Sequence, residues 1–237
     1  MQSQNKKQRK LSFKSLLLYV FGALCAAALV AHFAWKYSGS DQQKLVIEKD
    51  GIKVYTIKSP GSSLLKIVAT RRLATTMDKA VAMFVDDSLE NCVDWDSACY
   101  VSRAVEPWDP KTKSYTQLWT KDFGTPFAPR EFVLDTKLTN DMVTNVVTVQ
   151  FKAVPDKLPP DDCCFRVQHM SSRWEFTPAG EGQIDVKLLS NLDVGVPYFL
   201  FNMEAPENIY GAFKDLPRLF NSPRYANARI EWLHSAE

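Results

Sequence analysis

Residues 171–202 read SSRWEFTPAGEGQIDVKLLSNLDVGVPYFLFN, and the fold turns on them. The stretches 165–177 and 183–192 are strand-like. Pro178-Ala179-Gly180-Glu181-Gly182 between them is a turn, since glycine supplies backbone conformations other residues avoid. From 197 to 220 the pattern becomes helical. Phe199, Met203, Ile209, Phe213, Leu216 and Leu219 recur at roughly helical spacing. Pro206 and Pro217 interrupt that pattern, so a kinked or broken helix is expected. A hairpin followed by one long amphipathic helix ends the ordered chain.

Upstream lie more strands. In 132–138, Phe132, Leu134, Thr136 and Leu138 share one side, and Val133, Asp135, Lys137 and Thr139 the other. Asn140-Asp141 is a turn, and 143–151 is the next strand. Residues 155–162 (PDKLPPDD) form a loop, because three prolines remove ladder donors. Residues 100–105 and 113–122 are two further strands around the turn Pro107-Trp108-Asp109-Pro110. Near the start, 52–57 alternates as a half-buried strand, Pro60-Gly61-Ser62 turns, and 64–73 is a second strand. Thr76 starts a helix whose Met77, Ala80, Val81 and Phe84 fall on one face. The order is strand, strand, helix, about six strands, helix. That is an α+β fold. A meander of antiparallel strands has one apolar face to cover, and the C-terminal helix is the large amphipathic element left to cover it. The space enclosed is packed core or ligand cavity; the pattern alone does not choose.

Composition narrows the function. Of 237 residues, 46% are apolar and 12% aromatic, enough for a core and a cavity lining. Lys plus Arg number 29 against 27 Asp plus Glu, a net charge of +2, far from the basic excess of a nucleic-acid binder. The three histidines and five cysteines show no clustered ligand spacing, so neither a metal nor a cofactor is expected. In an oxidising compartment Cys92 and Cys99 are placed to pair; two free half-buried thiols fit equally well. A bridge between the neighbours Cys163 and Cys164 would be strained. His169, Glu175 and Asp185 have no nucleophile set beside them, and Ser62-Ser63 and Ser171-Ser172 lack a nucleophile elbow, so no enzyme activity is expected.

Residues 16–35 (LLLYVFGALCAAALVAHFAW) carry no Asp, Glu, Lys or Arg. At about 1.5 Å per residue they span roughly 30 Å, a bilayer core. Lys6, Lys7, Arg9, Lys10 and Lys14 precede them, which keeps the N-terminus cytoplasmic and sends the domain to a periplasm or lumen. The expected division is a basic N-terminus (1–15), a transmembrane signal-anchor (16–37), a linker (38–44), one domain (45–222) and a tail (223–237). A cleaved signal peptide is the competing reading.

The segments 47–66 (IEKDGIKVYTIKSPGSSLLK), 128–138 (APREFVLDTKL) and 171–202, with the helix after them, resemble START (steroidogenic-acute-regulatory-related lipid-transfer) domains in the same order. The likeness covers about 45–220 and is to membrane-anchored members of bacterial type. It rests on Pro129-Arg130-Glu131-Phe132-Val133, on Trp174 with Thr177-Pro178-x-Gly180-x-Gly182, and on Asp193 with Val196-Pro197. The resemblance implies a helix-grip fold, a curved antiparallel sheet wrapped around the C-terminal helix. It also implies one lipid in an internal tunnel, sterol, phospholipid or similar, carried or sensed at a membrane without covalent chemistry; the alternatives are an enzyme of the same superfold, of cyclase or hydrolase type, and a membrane-bound adaptor whose cavity is vestigial. The loop 155–162, with Leu158, Pro159 and Pro160, and the C-terminal helix would gate it.

Where cholesterol-binding relatives carry a buried acidic–basic pair, this chain has Gln117 and Thr136, which suit a neutral hydroxyl or carbonyl. Trp95, Tyr100, Tyr115 and Trp119 are the aromatics available for a cationic headgroup. The candidate ligand wall is Trp95, Tyr115, Gln117, Trp119, Phe132, Leu134, Thr136, Trp174 and Phe201. Phe132 and Leu134 suit ordinary core as well as they suit a wall. Arg130 with Glu131 reads as a strand-start salt bridge. The partners expected are a lipid and the membrane, with no nucleic acid, and the protein is expected to be a monomer.

Overall fold

Helix α1 (Phe13–Tyr37) leads into the domain, and none of its residues is buried against the rest of the chain. The computed structural model describes residues 13–86, 88–159 and 161–234. The basic residues Lys6, Lys7, Arg9 and Lys10, the gate residue Pro160 and the end of the expected tail lie outside the described residues.

Three strands follow α1: β1 (Gln43–Lys49), β2 (Ile52–Ile57) and β3 (Lys66–Ala74). Two short helices come next, α2 (Met77–Val85) and α3 (Leu89–Trp95). Then come β4 (Cys99–Asp109), β5 (Ser114–Lys121), β6 (Arg130–Asp141), β7 (Val146–Ala153), β8 (Phe165–Arg166), β9 (His169–Pro178) and β10 (Gln183–Asp193). Helix α4 (Tyr198–Phe220) closes the order. The strands form one sheet in the order β1-β2-β3-β10-β9-β7-β6-β5-β4, antiparallel throughout that path, while β8 pairs with β6 in parallel.

Local signals explain these elements. Thr76 caps α2 by accepting from the backbone N–H of Lys79, and Ala80, Val81 and Phe84 are buried as the spacing predicts. In the turn after β9, Gly180 and Gly182 both have positive φ, 111° and 64°. The expected strand 165–177 is two strands, because β8 leaves the β9 line to pair beside Arg130 and Glu131.

Helix α4 is not broken by its prolines. Pro217 cannot donate to the carbonyl of Phe213. Arg71 of β3 donates there instead at 2.5 Å, and to Lys214 O at 3.1 Å. The freed acceptor is thus satisfied from the sheet. The apolar face of α4 buries Phe213, Leu216, Leu219 and Phe220 against Phe84, Trp174 and Phe176. Phe176, Phe213 and Phe220 are fully buried, each contributing about 1.5–3 kcal/mol. The segment after α4 also docks: Tyr225 is buried, and its Oη donates to Asp86 at 2.8 Å.

Candidate ligand cavity

One face of the sheet does not pack fully against α4. Cross-strand register builds its wall. Trp119 of β5 lies beside Phe132 of β6. Phe151 of β7 lies beside Ser172 of β9, and Ser172 beside Ser190 of β10. Trp174 lies beside Leu188. Opposite stand Ile209 and Ala212 of α4, Phe84 of α2 and Trp95 of α3. Between them is a cavity of about 290 Å³. The disulfide Cys92–Cys99 ties α3 to the start of β4 at the cavity's side; Cys163 and Cys164 are bridged as well.

The wall is mainly aromatic. Trp95 meets Trp174 edge-on with centroids 5.5 Å apart, and Trp174 stacks on Phe213 at 5.5 Å. Polar groups are few and placed. The hydroxyls of Ser172 and Ser190 are 3.2 Å apart on the floor. At the rim Lys121 Nζ meets Asp96 Oδ2 at 3.0 Å and lies over the Trp119 ring. Burial opposes the Asp96 carboxylate, but Lys121 and the Ala98 N–H outweigh it and hold its pKa below the usual range.

Trp95, Tyr115, Trp119, Phe132 and Trp174 come together on this wall. Gln117, Leu134 and Thr136 share the inward face of β5 and β6 but are fully buried beside the cavity without lining it. Neither amide atom of Gln117 has a hydrogen-bond partner among the described residues, nor has the Thr136 hydroxyl. Phe201 packs half-buried against the core, away from the wall. Tyr100 is exposed, its Oη 3.9 Å from Cys164 Sγ.

Leu158 and Pro159 do not line the cavity. Arg166 holds their carbonyls at 2.9 and 2.8 Å, and Lys157 reaches Glu106 and Asp135. It is Phe123, in the segment 122–129, that reaches the wall. Lys157 also borders a second hollow of about 510 Å³ on the outer side of β5 and β6. Charged Glu106, Asp135, Lys137 and Lys152 surround that hollow, and stripping their hydration makes it a poor apolar site.

The expected Arg130–Glu131 salt bridge does not form. Neighbours on a strand point to opposite faces. Arg130 instead lies between the rings of Phe123, Phe127 and Phe165 and donates to Val194 O at 2.7 Å, and burial pushes its pKa down. Glu131 pairs with Arg166, both nearly buried. Glu175 pairs with Arg173 and Lys187, and Asp185 with Arg72, all on the outer face. Among the described residues no three His, Cys, Asp or Glu side chains gather as a metal site.

Sequence reasoning missed Phe151, Ser172 and Ser190. They were in reach, since Ser172 precedes Trp174 by two on the same strand and so shares its face. Lys121 and Asp96 carried no local signal, because only the tertiary fold brings them to one rim; Ile209 was picked out by its helical spacing but not as part of a wall.

No family model matches the sequence, and no curated protein matches it. Solved structures do. The STAR-related lipid transfer protein of Xanthomonas axonopodis superimposes with a TM-score of 0.69 at 22% identity, over 77% of this chain and 100% of that one. Human STARD10 gives 0.67 at 12%, over 94% and 85% of the two chains. Human StAR-related lipid transfer protein 5 gives 0.61 at 14%, over 88% and 98%. With its curved antiparallel sheet closed by a long C-terminal helix, this chain has the helix-grip fold of START domains.

Proposed function

We propose that the domain encloses one lipid molecule in this cavity and carries or senses it at a membrane surface, without covalent chemistry. The observation that carries the reading is the apolar space of about 290 Å³ left between the sheet and α4. That is close to the lower end of pockets that bury small ligands. Two of the compared structures are named as lipid transfer proteins, which points the same way. Trp95, Tyr115, Trp119, Phe132 and Trp174 form the apolar wall for the lipid body. Gln117 and Thr136, fully buried beside the cavity, carry unmatched polar atoms that a neutral hydroxyl or carbonyl would satisfy once a bound lipid widens the wall to reach them. Leu134 stands behind that wall, and Phe201 packs against the core beyond it. The entrance is assigned to the segment 122–129 beside α4. Leu158 and Pro159, in the loop expected to gate the tunnel, are held by Arg166 outside the cavity wall.

The apolar helix α1 anchors the domain (45–222) in the membrane as an uncleaved single pass, with the N-terminus cytoplasmic. Its mean hydropathy reaches 2.2. The domain then faces a periplasm or lumen as a monomer, a compartment that suits the Cys92–Cys99 bridge.

Native mass spectrometry of residues 41–237 tests the reading. One bound lipid per chain is the expected result. An empty domain that takes up no lipid from vesicles would refute it, and a lipid returned chemically altered would point to an enzyme on the same fold.

A further inference from the structure

The joint between α1 and the domain is not a free linker. Trp35 Nε1 donates to Ser63 O at 2.8 Å, and the Gly61 N–H donates to Lys36 O at 2.8 Å. Lys58 Nζ donates to Lys36 O at 3.3 Å and Ser38 O at 3.0 Å, closing the last carbonyls of α1. It also donates to Ser62 O at 2.7 Å and lies over the Trp35 ring at 5.1 Å. A cation at a helix C-terminus meets both orphan carbonyls and the negative end of the dipole. Gly39, at φ 106°, presses on Lys58 so closely that a Cβ there would sit 2.3 Å from its carbonyl oxygen.

This joint fixes where α4 begins. The His32 ring lies 5.6 Å from the Tyr198 ring. His32 precedes Trp35 by three residues, so it sits roughly 4.5 Å deeper along α1. Tryptophan marks the interface, whose polar layer is about 5–7 Å thick on each side. With α1 spanning the bilayer as proposed above, the first turn of α4 comes to the boundary between headgroups and acyl chains. Two large apolar side chains wait there uncovered. Phe199, its ring 6.1 Å from that of Tyr198, is 61% exposed, and Met203 one turn on is 63% exposed. They share one face of the helix.

We infer that Lys58 and Gly39 lock the domain to its anchor, and that the locked pose sets Phe199 and Met203 into the outer leaflet of the same bilayer that α1 spans. The inference rests on reading α1 as an uncleaved anchor. The partner is a lipid surface, in which the apolar pair gains burial. The domain then stands in one orientation and does not swing on a tether.

The test uses the full chain in vesicles of phosphatidylethanolamine and phosphatidylglycerol, with Cys25→Ser removing the free thiol. Nitroxide labels go on Phe199→Cys, Met203→Cys and Val143→Cys, without reductant. Val143 is 92% exposed and lies past the far end of β6, about 40 Å along the strand from Arg130, which itself bonds the residues before α4. Labels at 199 and 203 should collide with oxygen and lose collisions with a water-soluble nickel chelate; the label at 143 should show the reverse. Lys58→Met should restore nickel access at 199 while the chain stays in the vesicles, and Gly39→Ala should do so from the other side of the joint. Nickel access at 199 equal to that at 143 in a chain that resists carbonate would overturn the docked pose. Unchanged protection at 199 in both joint variants would overturn the lock. Release of the unmutated chain by carbonate would overturn the anchor reading itself, and is scored apart from the labels.

Discussion

Replacing Ala212 by Phe asks whether the space under α4 belongs to a ligand. Ala212 lies on the cavity wall, opposite the sheet. A dry apolar cavity of about 150 Å³ accommodates benzene, so the added ring fits within the 290 Å³ here and removes roughly half of it. In a packed core the same enlargement would cost about 1–3 kcal/mol. In an open cavity it meets space, and burial of the ring contributes up to about 1.5–3 kcal/mol before ordering costs. For a domain of this size 1 kcal/mol moves the midpoint by about 2–4 °C. The ligand-free variant should therefore melt at or above the unmutated protein, while lipid binding is lost. Thermal melts of delipidated protein, beside mass-spectrometric occupancy, give both readouts. A midpoint several degrees lower, with lipid retained by the folded fraction, would refute the cavity reading.

Gln117→Leu removes two unmatched buried polar atoms, so the empty protein should gain about 1–3 kcal/mol in denaturant melts, while a hydroxyl- or carbonyl-bearing lipid binds more weakly. Glu131→Gln leaves Arg166 charged and buried and should cost about 3–5 kcal/mol; the double change Glu131→Leu with Arg166→Met should cost less, because it buries no lone charge. The Asp96 carboxyl has a folded pKa below its unfolded one, so its contribution is complete above about pH 4 and fades as pH falls through the folded value; Lys121→Met should abolish that part of the acid unfolding curve.

Much of the fold was legible because it is written in alternation. The face of β6 that carries Phe132, Leu134 and Leu138 is the buried face, and α2 buries the side its spacing names. What could not be read depends on elements meeting. Phe132 lines the cavity and Leu134, two residues on, does not. Both point inward, and the difference is set by where α4 and α3 fail to fill the sheet's concavity. The helix α3 was missed because seven residues are too few to show a period. The charge partners were missed for a related cause. Glu131 finds Arg166 only through the parallel pairing of β8 with β6. The prolines of α4 suggested a break because the sequence does not show Arg71 reaching the carbonyls of residues 213 and 214.

That last contact has a mechanical consequence. Helix α4 is a beam with a support at each end. Near its start Asn202 accepts from Leu65 N–H and donates to Ser63 O, both at 2.9 Å. In its middle Tyr210 Oη donates to Asp50 at 2.5 Å, and near its end Arg71 grips the last turns. Shedding these bonds together would expose charge and backbone at once. In the reading proposed above, the helix is the clamped side of the entrance, and the short segment 122–129, which touches the cavity through Phe123, is the other side.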